Sequence, residues 1–392
     1  MKVCLITSAD CPRRRLDATQ LKDYFRQNGC QRTRSAADAD VIVLITCAYT
    51  CQAEDLALDM VERFSRMKNQ LIVTGCLPAI NPQRLEKVFS GITLPIHLLG
   101  DIDRYFPGFP VNFSKISDAN RASTVSPLPF FRPGDIFRRV SRHPVLTLKM
   151  FLKKRRIERL WAQKFYIRTS WGCRGKCSYC VIRKAIGDLR SKPIAVCREE
   201  LCRGLDQGFN SIVLEGDDTG AYGLDIGSSL PRLLQELISI KSDFTLDLGC
   251  LNPIWLVKYA QELTLIAGSG KLGTIECCIQ SGSDRILQLM NRYSNSDKVV
   301  SVLLDIKNAS PSTVITTHVM VGFPTETEED FEETIDVVKR VGIDELVVFP
   351  YQEKEGAESG GIKGEVAPEI IKKRSAHIYR LLSRQGVDVL CL

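Results

Sequence analysis

The chain has 392 residues, 44% of them hydrophobic and 25% charged, with a formal net charge of +7. That length holds two or three domains, that composition is ordinary for a globular protein, and no apolar run approaches the ~20 residues that span a bilayer. The modest positive charge permits an anionic partner such as RNA without demanding one. The N-terminus, Met1-Lys2-Val3-Cys4-Leu5-Ile6, reads as the start of a strand and lacks a signal-peptide cleavage pattern, so a cytoplasmic protein is expected. Fifteen cysteines, an odd number, then argue against a disulfide framework and for metal binding in a reducing compartment.

Residues 1–100 alternate strands and helices. Val3 to Thr7 is strand-like, and Leu16 to Gln27 is helix-like with Gly29 as a stop. Val41 to Thr46 is a strand of the buried type, Ala53 to Met67 a helix, Leu71 to Thr74 a strand, and Pro82 to Val88 a helix start. This rhythm predicts a small parallel sheet covered on both faces. In such sheets the site lies at the carboxyl ends of the strands. Cys11, Cys47 and Cys76 each follow a predicted strand, so residues far apart in sequence should converge there.

Residues 112–162 break the pattern. Asn112 to Phe131 is rich in Ser, Pro and Ala and reads as linker. Arg132 to Arg159 carries Arg138, Arg139, Arg142, Lys149, Lys153, Lys154, Arg155 and Arg156 against Asp135 and Glu158, and Val145 to Trp161 has the apolar spacing of an amphipathic helix. Two readings stay open: contact with phosphates or a membrane surface, or a solvated helix packed across a domain junction.

The chemistry is most legible in Cys173-Arg174-Gly175-Lys176-Cys177-Ser178-Tyr179-Cys180. Three thiolates at CxxxCxxC spacing are one short of a complete iron–sulfur ligand set. A zinc site would want a fourth ligand, and no His or further Cys follows until Cys197. Three cysteines on one loop can hold three irons of a [4Fe–4S] cluster and leave the fourth open. The loop follows a strand-like segment, Phe165 to Ser170. It precedes a helix, Cys197 to Gly208, and a strand, Ser211 to Leu214. That is where a (β/α) barrel places its chemistry.

This stretch resembles the cluster loop of the radical SAM enzymes. There the open iron binds the amino and carboxylate groups of S-adenosylmethionine (SAM), and Tyr179 stands where that family keeps an aromatic. Ile45-Thr46-Cys47-Ala48-Tyr49-Thr50-Cys51 and Thr74-Gly75-Cys76-Leu77-Pro78 are similar to the N-terminal domain of the radical SAM methylthiotransferases. The resemblance implies a second, auxiliary [4Fe–4S] cluster on Cys11, Cys47 and Cys76, whose open iron binds the sulfur that is later inserted. Around Cys11 the chain has Asp10 where the family usually has Gly, Arg14 where it has Asn, and a run of charge from Arg13 to Arg15. Gly187 to Pro193 is similar to a family segment, with Lys192 in place of Arg.

For SAM, the resemblance implies contacts by Tyr179 and by Gly216, Asp217, Asp218 and Thr219 after the second barrel strand. It also implies Asn252 after the third, Gln280, Ser281 and Arg292 around the fourth, and Gly322, Phe323 and Pro324 after the fifth. Asp217 or Asp218 is expected to face the SAM ammonium. Glu276 and Cys278 stand where the family commonly has His and Pro.

The predicted architecture is α/β: a Rossmann-like or flavodoxin-like parallel sheet domain (1–110), a basic linker and helix (111–162), a partial (β/α)6 radical SAM barrel (163–355) and a helical tail (356–392). Asp-Thr-Gly-Ala-Tyr-Gly at 218–223 with Asn252-Pro253 most resembles the branch that methylthiolates threonylcarbamoyladenosine in tRNA. The small C-terminal β-barrel (the TRAM domain) that the family appends to grip tRNA is not expected after the helical stretch Pro368 to Arg384. The implied reaction begins with an electron, from a donor such as flavodoxin or ferredoxin, entering the Cys173/Cys177/Cys180 cluster. SAM is cleaved to a 5′-deoxyadenosyl radical, hydrogen leaves an unactivated C–H bond, and sulfur or a methylthio group arrives from the auxiliary cluster. The substrate is then tRNA, held by 132–159, or else a peptide or small metabolite. The remaining reading is a non-catalytic iron–sulfur or RNA-binding homologue.

Overall fold

A computed structural model describes residues 1–8, 11–122 and 163–391. The basic segment 132–159 and its predicted helix lie outside the described residues. The chain divides into two compact units, Met1–Tyr166 and Ile167–Leu392.

The first unit is built on a parallel sheet of β1 (Lys2–Thr7), β2 (Gln31–Arg32), β3 (Val41–Thr46), β4 (Gln70–Gly75) and β5 (Ile92–Pro95), in the order β2-β1-β3-β4-β5. β3, Val-Ile-Val-Leu-Ile-Thr, is buried at every residue, as a central strand covered on both faces must be. The helices Pro12–Gln27 and Cys51–Ser65 follow β1's and β3's ends. The second begins cleanly because the Thr50 side chain accepts the Ala53 N–H at 3.1 Å. The first begins at Pro12, four residues before the periodicity suggests. Arg13 to Arg15 carry no apolar signal, yet Pro12 has the fixed φ that suits a first helical position, and Arg14 and Arg15 are buried. Thr7 pairs with Ile45 and Thr46 with Gly75, so β1, β3 and β4 end level.

The second unit is a seven-stranded sheet in the order β14-β13-β12-β11-β10-β9-β6. Its strands are β6 (Phe165–Arg168), β9 (Ser211–Glu215), β10 (Thr245–Leu251), β11 (Leu272–Cys277), β12 (Val314–Val321), β13 (Glu345–Pro350) and β14 (Asp388–Cys391), with helices between them. Every pairing from β9 to β14 is parallel. A small antiparallel pair, β7 (Ser170–Trp171) with β8 (Arg190–Ser191), brackets the cysteine loop. The sheet does not stop at residue 355. The tail's helix, Pro368–Arg384, returns the chain so that β14 adds to β13 with Glu345 opposite Asp388. A four-residue strand, Asp-Val-Leu-Cys, is too short to show a period of two.

Candidate functional site

The first centre lies at the carboxyl edge of the first unit's sheet. Cys11 precedes the first helix, Cys47 follows β3 and Cys76 follows β4, three adjacent strands that end level. The Cys47 N–H is held by Ser8 Oγ at 3.0 Å, and the Cys76 N–H by the Thr46 carbonyl at 3.0 Å. Gly75, at φ +107°, makes that approach possible: a Cβ there would stand 2.3 Å from the Thr46 oxygen. Burial pushes the Cys47 thiol up to about 12, and the neighbouring Cys11 and Cys76 push the same way, against the Tyr49 N–H and Arg14. The three thiols thus lie close enough to feel one another's charge. Arg14 is buried and paired with Asp17 at 3.0 Å, so its charge is shared with a carboxylate as well as the thiols.

The second centre is the loop after β7. Gly172, at φ +79°, turns the chain where a Cβ would meet the Asp188 carbonyl at 2.0 Å, and its N–H donates to Asp217 Oδ2 at 2.9 Å. The Gly175 N–H points back to Cys173 Sγ at 3.2 Å. The segment after the helix Asp284–Leu289 pins the rest. The Met290 carbonyl accepts the Ser178 N–H (3.0 Å), the Leu289 carbonyl accepts the Ser178 hydroxyl (2.8 Å), and Asn291 Nδ2 donates to the Lys176 carbonyl (2.8 Å). Tyr179 packs against the buried cluster of Ile286, Leu287, Met290 and Phe323. Burial, then Asp218, Cys177 and Cys180, push the Cys173 thiol far up, opposed by the Gly175 N–H. Arg292 Nη1 lies 3.7 Å from Cys177 Sγ, placing a guanidinium against the loop's thiols.

A cleft of about 680 Å³ opens beside this loop, bordered by Cys177, Asp218, Asn252, Trp255 and Arg292. That volume suits a small-molecule ligand. Buried polar atoms of Asp218 (Oδ1) and Arg292 (Nε), which border the cleft, and of neighbouring Thr219 (Oγ1) lack a hydrogen-bond partner among the described residues. Buried polar groups are rarely left this way without a ligand or water to complete them. Burial pushes the Asp218 carboxyl up, against Trp255, Arg292 and the Cys173 thiol.

The sequence-predicted residues thus separate. Asp218, Asn252 and Arg292 border the cleft; Gly216 and Thr219 belong to the same segment as Asp218, and a Cβ on Gly216 would meet Ser170 Oγ at 2.8 Å. Asp217 instead braces Gly172. Gln280, at φ +76°, links β11 to β12 through the His318 carbonyl and the Met320 N–H, both at 2.8 Å. Ser281 bonds to Thr334 and to the Ser283 N–H, inside the packing. Gly322 donates to Glu326 Oε2 at 2.7 Å; Phe323 stacks edge-on with Tyr351, and Pro324 is buried beside it.

Trp255 escaped the sequence reading, although Asn252-Pro253 places it in the first turn of the following helix. Gly220 is its trace in the sequence, since a Cβ there would strike the indole at 2.4 Å. Also missed is a group in the barrel: Glu276, Cys278 and His318, whose ligand atoms all lie within 4.8 Å of one another.

Both cysteine triads suit an iron–sulfur cluster. Thiolates on a single tetrahedral zinc would sit about 3.8 Å apart. Among the described residues, the three-residue group drawn within 4.8 Å is the Glu276 group and neither triad. Thiols gathered more widely than a single ion needs, with Arg14 acting on one set and Arg292 beside the other, suit a cluster rather than one metal ion.

A parallel barrel sheet with three cysteines on the loop after its first strand, a guanidinium behind them and a ligand-sized cleft beside them defines a radical SAM enzyme. Residues 167–338 match the Radical SAM superfamily, and residues 3–96 match Uncharacterized protein family UPF0004. Ribosomal protein uS12 methylthiotransferase RimO of Thermotoga maritima is 30% identical over 385 residues, covering 95% of this chain and 81% of that protein. Threonylcarbamoyladenosine tRNA methylthiotransferase MtaB of Aquifex aeolicus is 30% identical over 394 residues, covering 98% and 88%. In fold the chain is similar to the radical SAM methyltransferase TsrM of Kitasatospora setae, with a TM-score of 0.60, 12% identity, and coverage of 92% of this chain and 77% of that one. The chain belongs to the radical SAM methylthiotransferase family. It is an enzyme of that class, and [4Fe–4S] clusters and SAM are its cofactors. Among the described residues no helix is long and apolar enough to cross a membrane.

Proposed function

We propose that Cys173, Cys177 and Cys180 hold the SAM-cleaving cluster, that Cys11, Cys47 and Cys76 hold an auxiliary cluster, and that the chain transfers a methylthio group to a tRNA adenosine derivative. The observation that carries this reading is the second thiol triad. Three cysteines at the carboxyl ends of adjacent strands in a second sheet give the sulfur chemistry a centre of its own. When bound, the clusters and SAM supply the hard chemistry, reductive cleavage to a carbon radical and a source of sulfur.

The chain's own residues bind, orient and exclude water. Asp218 offers a carboxylate oxygen with no partner among the described residues, suited to an ammonium. Arg292 balances thiolate charge at Cys177. Asn252 and Trp255 border the cleft, and an aromatic face there covers a ligand at little entropic cost. An electron donor of the flavodoxin or ferredoxin kind completes the system.

tRNA is supported by the basic run from Arg132 to Arg159, by the net charge of +7, and by the Aquifex relative. A second reading has its own support: the Thermotoga relative modifies ribosomal protein uS12. Mass spectrometry of tRNA nucleosides and of ribosomal-protein peptides, from cells with and without the gene, separates the two. A methylthio-nucleoside lost with the gene is expected. A peptide lighter by one methylthio group in the deletion, with tRNA unchanged, establishes the protein reading.

A further inference from the structure

The radical SAM chemistry leaves unused a cluster of metal-ligating side chains inside the second unit. Glu276 lies on β11, Cys278 just after it, and His318 on β12, all half-buried. Cys278 Sγ is 3.5 Å from His318 Nδ1 and 3.9 Å from Glu276 Oε1, and His318 Nε2 is 3.9 Å from the same oxygen. A tetrahedral zinc, with bonds of about 2.3 Å to sulfur and about 2.0 Å to nitrogen or oxygen, sets its sulfur about 3.5 Å from those atoms. Cys278 Sγ and His318 Nδ1 already stand at that spacing, and one ligand atom from each of the three residues lies within 4.8 Å of the other two.

The hydrogen bonding around Glu276 points the same way. Its Oε1 meets the Cys250 N–H at 3.1 Å, the Cys250 thiol at 3.3 Å, the Cys278 thiol at 3.9 Å and the His318 ring. A carboxylate oxygen has two lone pairs for these four groups. A metal that binds the Cys278 thiolate, its proton released to solvent, and binds the imidazole relieves the surplus and leaves Cys250 as the hydrogen-bonding support of the carboxylate. The backbone is shaped for that support. Cys250 sits at φ +50°, at an irregularity in the β10–β11 register between Leu248 and Leu251, which aims its N–H at Glu276. Such irregularities re-aim side chains next to functional sites. Outer-shell support of this kind is characteristic of metal ligands.

We propose that Glu276, Cys278 and His318 form a mononuclear zinc site with an open fourth position, and that Cys250 positions Glu276 within it. A thiolate, an imidazole and a carboxylate together select zinc over harder divalent ions. Three protein ligands leave the fourth for water or for an oxygen, nitrogen or sulfur donor of a substrate. The site shares a wall with the cysteine loop, because Arg292 donates through Nη2 to the Cys278 carbonyl and through Nη1 toward Cys177.

The test is metal analysis of the reconstituted holoprotein, supplied with zinc and then passed over a chelating resin. About one zinc per chain is expected beyond the iron. Cys278→Ser and His318→Gln should each lower zinc at least about fivefold with iron unchanged, as loss of one of three ligands requires. No retained zinc in the unaltered protein, or zinc unchanged in both variants, overturns the proposal. Should a variant lose iron as well, zinc K-edge absorption on the unaltered protein decides. One sulfur at about 2.3 Å with three nitrogen or oxygen neighbours at about 2.0 Å is expected. A shell of three or four sulfurs means zinc lodged in a cysteine triad and overturns the proposal.

Discussion

Replacing Asp218 by asparagine should weaken SAM binding while leaving iron loading intact. Asp218 is 3% exposed, its Oδ1 has no hydrogen-bond partner among the described residues, and it borders the cleft with Cys177 and Arg292. A charge-assisted hydrogen bond to an ammonium is worth about 1.5–3 kcal/mol. Its loss therefore raises the dissociation constant about 10- to 150-fold. Asp217, one residue earlier, serves as the control. It anchors Gly172 at the root of the cysteine loop, so Asp217→Ala should lower iron retention and leave the SAM affinity of the loaded fraction near that of the unaltered protein. Calorimetric titration of SAM into reconstituted, iron-quantified protein reads both. Unchanged affinity in Asp218→Asn, or weakening by Asp217→Ala alone, refutes the assignment.

Two other predictions concern stability and the substrate. Burial pushes the Asp330 carboxyl up, but Arg285, Ser283 and Thr327 together hold it well below the usual carboxylate range. A depressed carboxylate stabilises the fold above its unfolded pKa of about 3.9 and loses that contribution as pH falls through its folded value. Asp330→Asn should cost about 1–2 kcal/mol at pH 7, from the capping box with Thr327 and the pair with half-exposed Arg285. The melting-temperature gap should shrink below about pH 4; a gap independent of pH contradicts the argument. If tRNA is bound through the basic run, affinity should fall steeply with salt, and charge reversal at Arg138, Arg139, Lys153 and Lys154 should flatten that slope. A salt-independent interaction, or none, favours the protein substrate.

The sequence made the fold legible where one signal dominates. β3 is a continuous apolar run whose bounds need no tertiary information, and Pro368 opens its helix where proline is favoured. It was illegible where burial overrides pattern, as in the first helical turn with its buried Arg14 and Arg15, and where an element is as short as β14. In the site, cysteine spacing pointed to Cys173, Cys177 and Cys180, and position after predicted strands pointed to Cys11, Cys47 and Cys76, but the roles of neighbours depend on backbone direction. Asp217 and Asp218 are adjacent in sequence, yet one turns to the Gly172 amide and the other to the cleft. Ser281 and Gly322 read as ligand contacts, and the structure adds that the Ser281 hydroxyl bonds to Thr334, the Gly322 N–H to Glu326, and that Phe323 is part of the buried core. The Glu276–Cys278–His318 group spans two strands, and only the β11–β12 pairing brings it together.

Two clusters held by two separate triads are the centre of the proposed chemistry, and iron per chain in anaerobically reconstituted protein tests them directly. The unaltered protein should carry about eight irons. Replacing Cys173, Cys177 and Cys180 by alanine should leave about four, and so should replacing Cys11, Cys47 and Cys76. A Cys11/Cys47/Cys76 variant that keeps the full iron load of the unaltered protein contradicts the auxiliary cluster and, with it, the sulfur chemistry.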